Sequence, residues 1–205
     1  MNICSYWREA AMEQPTSRPS DPIVVSESSP ADYAAIHQIH SYYIEHTDNN
    51  WNHQAKPFEP FKAHLEDLRH MGRPVLVAWL NNSVVGYGAL HEFRSADGYW
   101  PCVENSVYVH PDHQSRGIGK MLMAALIEQA RANDLWAIIA VIDAGNTDSI
   151  RFHERFGFYE CGRMNHIGEK NHRSISVVYL QYDIPENRIR YLSQPVEEAV
   201  SQKGS

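Results

Sequence analysis

Ser106-Val107-Tyr108-Val109-His110-Pro111-Asp112-His113-Gln114-Ser115-Arg116-Gly117-Ile118-Gly119-Lys120 decides the fold of this chain. Val107 and Val109 alternate with Ser106, Tyr108 and His110, the two-residue period of a strand. Pro111-Asp112 is turn chemistry. From Gly117 to about Asn133, Ile118, Met121, Leu122, Ala125 and Leu126 share one helical stripe. The segment therefore predicts a strand, a tight turn and a long helix. Gly117 and Gly119 leave the backbone bare where that helix begins. The first amides of a helix have no internal partner, and the dipole there is positive. Such a corner suits a pyrophosphate, and Arg116 and Lys120 add positive charge beside it.

Three glycine-containing phosphate loops compete for this segment. A P-loop needs Gly-Lys followed by Ser or Thr, but Lys120 is followed by Met121, and Gln114 stands where the first glycine belongs. A dinucleotide fingerprint needs a third glycine, and Leu122 occupies that place. Gln-x-x-Gly-x-Gly between a strand and a helix fits Gln114, Gly117 and Gly119 without adjustment. A helix that merely starts with two glycines writes the same letters.

A second segment follows in order. Ala137 to Ile142 is strand-like, and then comes Asn146-Thr147-Asp148-Ser149-Ile150-Arg151-Phe152-His153-Glu154-Arg155-Phe156-Gly157-Phe158. Asn146 is a good N-cap, and Ile150, His153, Phe156 and the neighbouring Phe152 can share much of one face. Gly157 sits where a C-terminal cap glycine belongs.

Together the two segments resemble the GCN5-related N-acetyltransferases. Glu104-x-Ser106-Val107-Tyr108-Val109, the glycine loop, Asn146-x-x-Ser149-Ile150-x-x-His153-Glu154-x-x-Gly157-Phe158, Cys161-Gly162-Arg163 and Gly168-x-Lys170 are similar to the phosphinothricin acetyltransferase branch. The similarity covers about residues 22 to 184. It implies a mixed, mostly antiparallel α/β sheet with helices on both faces, whose fourth and fifth strands splay apart to admit acetyl-coenzyme A. It also implies a small-molecule amine as acceptor and pairing into a homodimer.

Bulk properties bound the rest. A chain of 205 residues favours one domain with a substantial core. A net charge of −7 with no basic stripe argues against nucleic acid. Cys4, Cys102 and Cys161 are odd in number and far apart, so neither a disulfide framework nor a zinc knuckle is indicated, and a reducing cytoplasm fits. No apolar run is long enough to span a membrane. Residues 1–21 read as a flexible extension, 22–184 as the catalytic domain, and 185–205 as a short helix and polar tail. Within the domain, Ala31 to Ile44 and Pro60 to Met71 carry helical stripes. Pro74 to Leu80 and Val84 to Phe93 read as a hairpin about Asn81-Asn82. Phe158 to Met164 and Ile175 to Tyr182 read as closing strands.

Acetyl transfer to an amine needs a pyrophosphate anchor, a donor for the developing oxyanion, a base for the amine and a proton for the departing thiolate. The resemblance implies that Gln114, Ser115, Arg116, Gly117, Ile118, Gly119 and Lys120 supply the anchor, and strand amides near Val107, Tyr108 and Val109 the donor. Asn146 and Ser149 then meet the pantetheine, though Asn146 also reads as a plain N-cap. Glu104 is the candidate base, against the alternative of a solvated edge glutamate. His153 is the candidate acid for the thiolate, or a packing residue. Tyr99, Lys170 and Arg173 fall toward the acceptor in the family, and an arginine grips a carboxylate well; ordinary surface charge is the alternative. The family's Trp and Asp after that arginine are replaced by Ser174 and Ser176, which moves the expectation from phosphinothricin itself to some small amine or amino acid. Tyr108 also reads as core or wall, since it alternates to the face opposite Val107. His110 with His113, and His37 with His40, lack further ligands, and no metal is expected. A protein-modifying acetyltransferase and a non-catalytic coenzyme A binder stand as rivals.

Overall fold

The Ser106–Lys120 segment lies at the centre of a seven-stranded sheet of order β1-β2-β3-β4-β5-β7-β6. A computed structural model describes residues 22–193; the expected extension over 1–21 and the end of the tail lie outside them. The strands are β1 (Val24–Glu27), β2 (Val75–Leu80), β3 (Ser83–Glu92), β4 (Cys102–Val109), β5 (Ala137–Asp143), β6 (Tyr159–Lys170) and β7 (Arg173–Asp183). The helices are α1 (Tyr33–His46), α2 (Phe58–His70), α3 (Ile118–Ala132), α4 (Thr147–Glu154) and α5 (Pro185–Leu192).

Every neighbouring pair in the sheet is antiparallel except β4 and β5. Both long hairpins turn on two residues with positive φ: Asn81 (50°) and Asn82 (61°), then Asn171 (52°) and His172 (62°). That geometry matches the twist of the flanking strands, and asparagine tolerates it.

Two cores cover the two faces. Leu122, Met123 and Leu126 of α3 pack on Val103, Ile138 and Leu180. Tyr33, Ile36 and Ile39 of α1 meet Leu65 and Leu68 of α2 over Val77 and Tyr87. Each such side chain contributes about 1.5–3 kcal/mol. Gly88 lets α3 lie close to β3: a Cβ there would come within 2.9 Å of Leu126 Cδ1. The short helix read after Ile184 is α5. Buried Asn187 of α5 donates from Nδ2 to the carbonyls of Arg131 and Leu135, both at 2.9 Å.

The β4–β5 contact positions the site. It consists of Cys102↔Ala137, Val103↔Ile138 and Glu104↔Ile139 only. Beyond Glu104, β4 stays on β3 and β5 stays on β7, so the two strands part. The splay expected from the resemblance is present.

Candidate functional site

The parting leaves one edge of β4 without a strand partner. His110 N–H donates to Val85 of β3 at 2.8 Å, and strand groups alternate sides. Tyr108, Ser106 and Glu104 therefore turn their backbone groups to β3, while Val109, Val107 and Asn105 turn theirs into the opening. Pro101, in phase with the latter set, accepts from Trp136 N–H of the β5 side at 2.7 Å. Tyr108 is thus a wall residue and not a backbone donor to the opening. Its side chain joins the α1–α2 core, and its hydroxyl accepts from Asn50 Nδ2 at 3.1 Å.

The glycine corner sits at the end of this opening. Gly117 is the N-cap of α3 with φ 79°, and no side chain caps the helix. An added Cβ would meet nothing within 4 Å, so the glycine serves the backbone angle and not the space. The first helical bond is Met121 N–H to Gly117 O at 3.0 Å, which leaves the amides before it for a ligand. Ser115, Arg116 and Lys120 are exposed around them, and Ile118 is buried beneath. Gln114 holds the loop in place: its Nε2 donates to Tyr43 OH at 3.1 Å, which donates to Val109 O at 2.7 Å. These groups fit an extended thioester with a pyrophosphate at one end.

Across the opening, Asn146 caps α4. Its Oδ1 accepts from Ser149 N–H at 3.0 Å, and its Nδ2 donates to Asn49 Oδ1 at 2.9 Å. His153 is buried on the same helix. Its Nδ1 lies 2.8 Å from Ser149 O, which only a protonated nitrogen can satisfy. Its Nε2 then accepts from Asn105 Nδ2 at 3.0 Å. Burial lowers the His153 pKa, and the Ser149 carbonyl only partly opposes this. The imidazole is neutral and presents no spare proton at Nε2. Asn105 Oδ1 is buried without a partner.

Glu104 projects from the opposite face of β4, in phase with Tyr108. It is half-buried, and burial raises its pKa, an effect the nearby Arg94 charge moderates. A carboxylate of raised basicity suits proton abstraction. Glu104 and the Asn105–His153 pair therefore flank one stretch of open strand edge from two sides.

The expected acceptor residues stand elsewhere. Lys170 is 2% exposed, and its ammonium donates to Ile44 O at 2.7 Å and Asn52 O at 2.5 Å. It ties the end of β6 to the last turn of α1 and the segment after it, and offers nothing to a substrate. Arg173 bridges Asp143 at 2.5 Å and Asp48 at 3.3 Å. Tyr99 is exposed, with its ring 5.9 Å from Phe93. Ser174 and Ser176, which replace the family's Trp and Asp, bond His166 Nδ1 (3.0 Å) and N–H (3.1 Å). Asn105 was legible as a polar residue in phase with Val103, Val107 and Val109. His91, opposite Glu104 across the ladder, carries no sequence signal of its own. Among the described residues, no group of three or more metal-ligating side chains is placed to hold an ion.

Comparison with known proteins points to one family. The model of the acetyltransferase (GNAT) family matches residues 35–158. An L-methionine sulfoximine/L-methionine sulfone acetyltransferase of Salmonella typhimurium is 36% identical over 157 residues, 77% of this chain and 92% of its own length. An acetyltransferase structure from Salmonella typhimurium, solved with its cofactor acetyl-CoA, superposes at TM-score 0.77 with 34% identity, covering 80% and 94% of the two chains. A phosphinothricin acetyltransferase from Sinorhizobium meliloti in complex with acetyl-CoA gives TM-score 0.77 at 25% identity, covering 79% and 88%.

Proposed function

Since this chain belongs to the GNAT family of N-acetyltransferases, we propose that it carries an acetyl group from acetyl-CoA to the primary amine of a small amino acid or a like molecule. The observation that carries this reading is the open edge of β4 at Asn105–Val109, with Glu104 on one side and His153 on the other. The sulfoximine and phosphinothricin acetyltransferases among its relatives support the acceptor class.

The residues divide the work. Amides at the start of α3, with Arg116 and Lys120, hold the pyrophosphate. Outward backbone N–H groups of β4 lie along the thioester and meet its carbonyl oxygen as charge develops there. Glu104 takes the proton that an ammonium must lose before its nitrogen can attack. His153 and Asn105 stand at the leaving sulfur as a neutral, hydrogen-bonding wall. A carboxylate-bearing acceptor finds Arg173 only where Asp48 yields it.

A homodimer in the cytoplasm completes the proposal. Tyr159, Met164 and Ile167 of edge strand β6 are exposed apolar surface available for pairing, and Cys102 and Cys161 are free thiols. The test is thiol release from acetyl-CoA across phosphinothricin, methionine sulfoximine, the common amino acids, polyamines, aryl amines and short peptides, with Glu104→Gln as control. An amino-acid hit lost in the control supports the reading. A hit among peptides alone makes the enzyme a protein acetyltransferase. Binding without any thiol release makes it a coenzyme A binder.

A further inference from the structure

Transfer of an acetyl group to an ammonium releases a proton. The N–C bond forms, the C–S bond breaks, and the nitrogen gives up two protons. One stays on sulfur as thiol, and the other must reach water on every turnover. Glu104 is half-buried, so a base there needs an exit. His91 stands directly across the β3–β4 ladder from it. Such partners share a face with Cβ atoms about 5 Å apart. The His91 ring in turn lies parallel to that of His64 of α2, centroids 5.5 Å apart and planes within 1°. His64 is exposed.

We propose that His91 and His64 form a proton exit from Glu104, an inference that rests on Glu104 being the base. Protonated Glu104 hands its proton to the neutral His91 ring and returns to carboxylate. His91 passes the proton through water at the ring edges to His64, and His64 releases it to solvent. The groups facing His91 are Glu104 from β4, His64 from α2 and His40 from α1. Lys56 and Asp67 face His64 in turn. Arg73, just before β2, gives its guanidinium to the Trp100 carbonyl at 2.7 Å. Burial, then His64 and His40, bring the His91 pKa down to about 4, so the ring is neutral at working pH and sheds a proton quickly. His40 is held aside by its own bond to Tyr87 OH at 2.5 Å.

The test uses the full chain with its best acceptor from the panel above. His91→Phe is expected to lower kcat about tenfold, and His64→Gln severalfold, in a buffer without imidazole. Acetyl-CoA should still raise the melting temperature of each variant as it does for the parent. Added imidazole at constant pH and ionic strength should restore much of the lost rate, because a small carrier replaces the missing one. Turnover within about twofold of the parent in both variants overturns the exit, as does a loss that imidazole leaves unchanged. If His91→Phe fails to fold, the exposed His64→Gln decides alone. An inactive Glu104→Gln beside normal histidine variants removes the exit and keeps the base; an active Glu104→Gln removes both.

Discussion

Asn105 Nδ2 lies 3.0 Å from His153 Nε2, and this contact is matched to the proton that Ser149 O fixes on Nδ1. With Nδ1 spent on Ser149 O, Nε2 must hold a lone pair toward the carboxamide. A protonated ring would set N–H against N–H until the carboxamide turned over and offered Oδ1, the oxygen that now has no partner. Asn105→Asp supplies a permanent acceptor. The expected result is a His153 pKa that rises by about one unit or more, read from the imidazole proton shift in NMR. An unmoved titration means that the two side chains are not coupled.

Glu104 makes a prediction about pH. A base works only when deprotonated, and burial holds this carboxyl above its ordinary value. The acid limb of kcat therefore lies above that of an ordinary glutamate, with the rate falling as pH drops through it. Glu104→Gln is expected to lower kcat by about 10²-fold and to erase that limb, while the affinity for acetyl-CoA stays.

Lys170 is predicted to act on stability. Lys170→Met removes the donor from two carbonyls, Ile44 O and Asn52 O, and leaves both beneath a methyl. Loss of about 1–3 kcal/mol in urea unfolding is expected. A change in acceptor KM with no change in stability would return Lys170 to the substrate.

Asp143 links stability to acid. Burial raises its pKa, but the hydrogen bond and charge of Arg173 and the Gly145 amide outweigh this, and the net shift is downward. A group depressed on folding contributes stability that is full above its unfolded pKa and is lost as pH falls through the folded one. The melting temperature should therefore drop more steeply for the parent than for Asp143→Asn as pH falls below the ordinary carboxylate range. Parallel curves would show that the pair contributes nothing.

Gly117→Ala probes the phosphate corner through the backbone alone, since space is free around it. A left-handed alanine costs about 1–2 kcal/mol. The variant should lose that much stability, or relax the turn and bind acetyl-CoA more weakly. A melting curve and an acetyl-CoA titration separate the two outcomes.

Much of this is legible in the sequence. The strand–turn–helix of Ser106–Lys120 and the Asn146 cap are local patterns, fixed by two-residue and helical periods and by glycine chemistry. Expected strand ends erred where pairing is irregular. β6 runs to Lys170 and not Met164 because its register with β7 shifts between Met164 and Gly168, which no periodicity records. The fate of Lys170 and Arg173 was also hidden. Lys170 meets Ile44 at the end of α1 and Asn52 in the following loop, and Arg173 meets Asp48 in that loop besides Asp143 of β5; the first three lie more than a hundred residues back, on a path that depends on the whole fold. Asn105 was visible as a break in an apolar phase, but only its neighbour His153 gives that break a meaning.

The short seam between β4 and β5 has a consequence for how the chain folds. Strands β1 to β4 form a meander of sequential antiparallel neighbours, and β6 and β7 form a hairpin on which β5 lies. Within them the β2–β3, β3–β4 and β6–β7 connections are short, and such local pairings assemble quickly. Only Cys102–Glu104 and Ala137–Ile139 join the halves within the sheet, across a helical crossover. That junction should form after the local hairpins; once formed it is held by Val103 and Ile138, both fully buried, so the seam that admits a ligand is sealed at its base by the core.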